Sequence, residues 1–278
     1  MTTVKEAIDQ MIRARNVDTG RVSGLSRQII AQMNTLANGI LVSFESLPGI
    51  EGSGASLNLY LQTGAKESLR AALREGTAKQ PGLKMTINSA YRTVAQQHIL
   101  YQVFQRDSKL IPLASKPGNS NHENGLAIDV NNYNAWKPYL TAHGWHWLGG
   151  NDPVHFSETS GRNDLNKLGI AAFQSLWNQY HPQEPMTVDG NFGAQTAAKM
   201  DSAPIGGFGG TSVLHLGDTG TEITRIQQRL ANLGYVTAVN GSFDRQTQAA
   251  VIKFQTQQGL AADGAIGQMT LKALGIKL

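Results

Sequence analysis

The chain of 278 residues has 40% hydrophobic and 16% charged residues, 30 glycines, 9 prolines and no cysteine. That length suggests about two domains with enough apolar content for a sizeable core, which excludes a wholly disordered chain. The missing cysteines exclude disulfides, thiolate metal sites and cysteine nucleophiles, and a formal charge of +4 without a block of like charges gives no reason to expect nucleic acid as a partner.

The opening MTTVKEAIDQMIRARN carries charges throughout and has no continuous apolar stretch, so it does not read as a secretory signal. The longest apolar run, near residues 39–44, is far short of the roughly 20 residues that a membrane span needs. Val4, Ile8 and Met11/Ile12 keep helical spacing, and Leu25, Ile29, Met33 and Leu36 do so again after a DTGRVSG break. Residues 1–55 are therefore expected to be a helical region, with 48–56 as a linker or exposed loop. A helix over 66–75 would put Leu69, Ala72 and Leu73 on one face. Strict alternation over 83–88 sets Leu83, Met85 and Ile87 on one side of a strand. Thr93 and Gln96 then form a capping-box start, followed by Ile99, Leu100, Val103 and Phe104 at helical spacing. Residues 126–130 and 144–148 read as further short strands. Elements in this order predict an α+β domain over 56–160 with a largely antiparallel sheet.

The last third repeats itself. DGNFGAQT (189–196), NGSFDRQT (240–247) and DGAIGQMT (263–270) are versions of one turn. Each follows a helix with glutamine after an apolar residue: Phe173-Gln174, Ile226-Gln227 and Phe254-Gln255. The pattern predicts a half-unit over 161–202, a Gly-rich linker over 203–212 and a complete unit over 213–278.

The strongest chemical signal is SNHENGLAID (120–129) followed by DPVH (152–155). Strand geometry puts Ala127 and Asp129 on one face and Leu126, Ile128 and Val130 on the other. An aspartate opposite three aliphatics, beside a small alanine, points into a space rather than into packed core. His122 lies just before this strand, Gly125 allows a tight path between them, and His155 enters from a later segment. Two histidines and an aspartate can bind a divalent ion and leave a position for water, as in a catalytic zinc site. Asp152, three residues before His155, could take the water's proton and pass it to a leaving amine. His143 and His146 form a rival ligand pair, although Trp145 and Trp147 beside them suggest sheet wall or pocket lining. His98 is expected on a helix surface, and His181 and His215 have no carboxylate cluster nearby. Glu123 and Glu158 are poorer candidates for the base.

The combined S-x-H-x-x-G-x-A-x-D motif, preceded by SAYR (89–92) and followed by the later histidine, resembles the zinc D-alanyl-D-alanine carboxypeptidases. This VanY-like family also includes D-Ala-D-Ala dipeptidases and the L-alanyl-D-glutamate endopeptidases of phage lysins. The resemblance implies a hedgehog/DD-peptidase-like fold and one Zn2+ held by His122, Asp129 and His155. It makes Arg92 the group that stabilises the developing oxyanion, with Ser120 and Gln97 contacting substrate and Ser89 and Tyr91 shaping the pocket. Many carboxypeptidases of the family carry glutamate where this chain has Asp152, while aspartate occurs among the endopeptidase-like relatives. The segment LxxGDxG…QQxL (214–230), with the turns after it, resembles the peptidoglycan-binding domain 1 family, a small three-helix module, and 164–200 resembles its second half. The implied function is a zinc peptidoglycan peptidase: a D,D-carboxypeptidase first, an L-Ala-D-Glu endopeptidase second. A non-catalytic wall-binding protein is the alternative from another class. Peptidoglycan is the implied partner, and the cell wall, periplasm or exterior the implied site of action; the route of export is not legible.

Overall fold

The computed structural model describes residues 2–52, 57–158, 163–210, 213–235, 237–260, 262 and 264–276. Parts of the segments expected as linkers (53–56 and 211–212), the junction at 159–162 and Asp263 of the third turn lie outside them. The elements in chain order are α1 (Val4–Ala14), α2 (Ser23–Leu36), β1 (Leu41–Ser43), β2 (Ile50–Glu51), β3 (Tyr60–Gln62), α3 (Thr63–Lys79), β4 (Met85–Ser89), α4 (Val94–Arg106), β5 (Ala127–Val130), α5 (Tyr133–Ala142), β6 (Trp145–Trp147), β7 (His155–Glu158), α6 (Asn166–Tyr180), α7 (Ala194–Ser202), α8 (Thr221–Asn232), α9 (Arg245–Gln257) and α10 (Gln268–Ala273). The chain thus mixes helices with small sheets. Among the described residues, no helix is long and apolar enough to cross a membrane.

Five strands form the main sheet in the order β2-β4-β5-β7-β6, with β2 parallel to β4 and every other pair antiparallel. β2 and β7 were not among the predicted strands. β2 lies inside the stretch expected to be linker or loop, and its pairing with Met85 and Thr86, rather than its own two residues, makes it a strand. One sheet face carries Met85, Ile87, Ile128, Val130, Trp145 and Phe156 onto Leu69, Ala72 and Leu73 of α3 and Trp136 and Leu140 of α5.

A second core is helical and joins α1, α2, α4, α6 and α7 through residues such as Ile8, Leu25, Ile29, Val103, Phe173 and Met200. Leu36, expected on the buried face of α2, is instead exposed at the helix's last position. α4 begins with the expected box: the Thr93 hydroxyl accepts from the Gln96 backbone and the Gln96 side chain accepts from the Thr93 N–H. Part of the Gly-rich segment after α7 is packed rather than free. Phe208 is buried, and both its backbone N–H and its carbonyl bond to the Gln28 side chain.

The repeated glutamines explain the repeated turns. Gln174 donates to Asp189 Oδ1 (2.9 Å) and Thr196 Oγ1 (3.2 Å) and accepts from the backbone of Asp189 (3.1 Å) and Gly190 (3.0 Å). Gln227 does the same for Asn240, Thr247 and Gly241. Gln255 does so for Thr270 and Gly264. A buried amide group satisfied at both ends fixes the loop to its helix. α8, α9 and α10 share a third core built around Ile226, Leu230, Phe243, Val251 and Phe254.

Candidate metal centre

The register of β5 and β7 sets Asp129 opposite His155 and Ala127 opposite Ser157, and β6 sets His146 opposite Ser157. Cross-strand partners share a face, so these five side chains lie on the sheet face turned away from Ile128, Val130 and Phe156. β4 joins that face by an irregularity. Ile87 pairs with Val130 but Ser89 with Asp129, two steps on β4 against one on β5. Period-two alternation alone would leave Ser89 beside Ile87 in the core; a bulge of this kind transfers it to the other face. There the Ser89 hydroxyl lies 3.5 Å from His122 Nδ1 and accepts from Arg92 Nη2 at 3.4 Å.

His122 arrives on the loop before β5. Gly125 turns that loop with φ +64°, and a Cβ at this position would meet the Leu41 side chain at 2.8 Å. His122 Nδ1 lies 2.8 Å from the Ala90 carbonyl oxygen. A carbonyl only accepts, so Nδ1 carries the proton and Nε2 turns its lone pair towards Asp129 Oδ1, 3.4 Å away. His155 Nδ1 faces the same oxygen at 3.0 Å, and its Nε2 lies 2.8 Å from Ser157 Oγ. Ligand atoms of His122, Asp129 and His155 all lie within 4.8 Å of one another. Burial holds the His122 imidazole below its ordinary range, against the pull of Asp129. Burial alone would raise the Asp129 carboxyl, but the two histidines beside it hold it well below the usual carboxylate range.

These residues fit a zinc ion by their chemistry. Two imidazoles and a carboxylate converge in a largely buried space, and on each ring the nitrogen turned from Asp129 is engaged by an oxygen, Ala90 O or Ser157 Oγ.

Arg92 is half-buried between β4 and α4. Its backbone N–H donates to the His122 carbonyl (3.1 Å), and Nη1 donates to Gln97 Oε1 (3.1 Å). Burial lowers the guanidinium pKa, opposed by the charges of Asp129, Glu123 and Asp152. Gln97, expected to contact substrate, is buried and spans Arg92 and the Ser115 carbonyl (2.7 Å). Ser120 is also buried, and its hydroxyl accepts from the His122 N–H (3.3 Å). Tyr91 is turned away: it sits in the helical core with its hydroxyl on Met33 Sδ (2.9 Å), so it does not shape the pocket as expected.

Asp152 is half-buried in the turn between β6 and β7, where its carbonyl accepts from the His155 N–H (3.2 Å). Trp147 Nε1 donates to the Pro153 carbonyl (2.8 Å) and pins this turn. Glu123 lies buried behind His122 and accepts from the Gly118 and Ser120 N–H groups. Burial pushes its carboxyl up to about 7 against those hydrogen bonds and the Arg92 charge. Glu158 alternates onto the opposite sheet face from His155, near Gly144, which removes it as a base.

The rival histidines do not converge. His143 bonds to Glu75 Oε2 (2.8 Å), while His146 is exposed on the sheet. His98 corrects the expectation of a surface residue: it is fully buried, with Nε2 on Asp201 Oδ1 at 2.7 Å, and links α4 to α7. His181 stacks on Trp177, and His215 lies 3.2 Å from Arg27 Nη1. Sequence reasoning missed Ser157 and Asn121 as groups that support the site, because Ser157 lies beyond the motif and Asn121 fills an unspecified position within it.

Residues 58–153 match the D-alanyl-D-alanine carboxypeptidase family VanY, and residues 219–274 match the peptidoglycan binding domain family. The chain thus has the architecture of a VanY-like region joined to a peptidoglycan-binding region. The first match contains Arg92, His122, Asp129 and Asp152 and ends two residues before His155. The zinc D-Ala-D-Ala carboxypeptidase of Streptomyces albus G is 35% identical over 88 residues, 29% of this chain and 34% of that protein. The N-acetylmuramoyl-L-alanine amidase CwlM of Mycobacterium tuberculosis is 32% identical over 120 residues, 42% of this chain and 29% of that protein. The chain therefore matches about a third of the length of these curated relatives.

Proposed function

We propose that the chain is a zinc-dependent peptidase acting on peptidoglycan. The observation that carries this reading is the convergence of His122, Asp129 and His155 on one sheet face in and beside the VanY-like region. His122 Nε2, Asp129 and His155 Nδ1 would hold the ion. Zinc supplies Lewis-acid polarisation of a peptide carbonyl and makes water ionisable near neutral pH. Asp152 takes the proton of the attacking water and delivers it to the leaving amine. Arg92, held by Ser89 and Gln97, offers preorganised positive charge to the carbonyl oxygen as it becomes anionic.

Removal of terminal D-alanine is the first reading of the reaction, supported by the VanY match and the Streptomyces relative. Cleavage between L-Ala and D-Glu is the second, favoured by Asp152 at a position where many carboxypeptidases have glutamate. In this reading 56–160 is a hedgehog/DD-peptidase-like catalytic domain and 213–278 a small all-α module that tethers it to the wall. Tethering raises the local concentration of enzyme on an insoluble polymer. The site of action is then the cell wall, periplasm or exterior.

The test is to purify the chain, measure bound zinc and digest muropeptides with mass detection. Loss of one alanine from the stem supports the carboxypeptidase, and a cut after L-alanine supports the endopeptidase. Zinc-loaded protein that leaves every muropeptide intact would sink both. Asp152→Asn is expected to lower turnover by roughly 10²–10⁴-fold with zinc content unchanged; a variant that still cuts at the original rate removes Asp152 from the role of base.

A further inference from the structure

Ser157 stands two residues beyond His155 on β7 and so shares the face of the candidate ligands. Its neighbour across β5 is Ala127, which has no polar side chain to compete for hydrogen bonds, and its neighbour across β6 is His146, which is exposed. Ser157 Oγ lies 2.8 Å from His155 Nε2 and accepts from Asn121 Nδ2 at 3.2 Å. Asn121 immediately precedes His122. The contact therefore ties together the two segments that carry the histidines.

We infer that Ser157, held by Asn121, is a positioning residue that prepares His155 to bind metal; this rests on the metal reading above. A neutral imidazole carries one proton and must place it on one of its two nitrogens. If the proton sits on Nδ1, Asp129 Oδ1 at 3.0 Å accepts it. The histidine and the aspartate then satisfy each other, and two candidate ligands are spent in one hydrogen bond. Ser157 offers an acceptor at Nε2, and the Asn121 amide holds the hydroxyl oxygen in place. The proton stays on Nε2, leaving the Nδ1 lone pair directed at the space shared with His122 and Asp129. Ala90 performs the corresponding task for His122 with a backbone carbonyl, which no substitution removes. On the His155 side the same task falls to a replaceable side chain.

The experiment measures zinc affinity by competition with a chromophoric chelator, and the visible spectrum of the cobalt(II)-loaded protein, in the full chain. Ser157→Ala is expected to weaken zinc binding by roughly 10–100-fold and to alter the cobalt spectrum. Ser157→Thr, which keeps the hydroxyl, should stay close to the unsubstituted protein. Asn121→Ala, at an exposed position, should weaken binding in the same direction by less, and it carries the test if Ser157→Ala does not fold. Unchanged affinity in Ser157→Ala and Asn121→Ala, while the unsubstituted protein binds zinc, overturns the positioning role. Failure of the unsubstituted protein to bind zinc overturns the metal reading instead.

Discussion

At Glu123 burial opposes hydrogen bonding and charge. Its carboxyl, ordinarily near 4.5, is raised to about 7 in the fold, chiefly by burial. Between those values the folded protein keeps a proton that the unfolded chain has lost. The folded state then binds more protons, so stability falls as pH rises from about 4.5 to about 7, by up to roughly 3 kcal/mol. Urea unfolding of the metal-stripped protein at the two ends of this window should show the difference, and Glu123→Gln should flatten it. Equal slopes in both proteins would remove Glu123 as the source. Gly125 gives a second expectation at this scale. Gly125→Ala forces a side chain onto a left-handed backbone and against Leu41, and should cost about 1–3 kcal/mol in the same unfolding assay. The types and spacing of His122, Asp129 and His155 made their convergence legible in the sequence. The hydrogen-bonding roles of Gln97 and Tyr91 were not, because they depend on partners, Ser115 and Met33, that the motif does not contain.

The glutamine that holds each repeated turn sets the behaviour of whole elements. Gln227 is fully buried and serves the turn after α8 with both ends of its amide. Gln227→Leu would strand the Asn240 and Gly241 N–H groups, with an expected cost of about 2–4 kcal/mol to the 213–276 region and zinc affinity unchanged. Differential scanning calorimetry separates the two effects, and an unshifted transition would deny the clamp its structural role. The repeat was legible as a pattern because it recurs, while its mechanism needed the fold. The strands 85–89 and 127–130 were legible from alternation. β2 was not, since two residues in a glycine-rich stretch carry no period, and the β4 bulge was not, since alternation extrapolates straight through it.

At the scale of the molecule, the third core draws, among the described residues, only on residues from 214 onward. On the proposed function, removing 211–278 is therefore expected to leave hydrolysis of soluble muropeptides within about twofold while abolishing co-sedimentation with insoluble sacculi, as tethering requires. Undiminished sedimentation would move wall binding elsewhere in the chain. The other cores are less separable by cutting, because α6 and α7 pack with α1, α2 and α4. The first and last parts of that assembly are also stitched together. Val4 N–H donates to the Ala203 carbonyl, Ile205 N–H to the Thr2 carbonyl, and Leu25 N–H to the Ile205 carbonyl. During synthesis, Thr2 and Val4 thus wait for a partner made some 200 residues later. The helical core closes only when the ribosome has passed α7. Its folding rate is then set by this long closure more than by the speed of its helices.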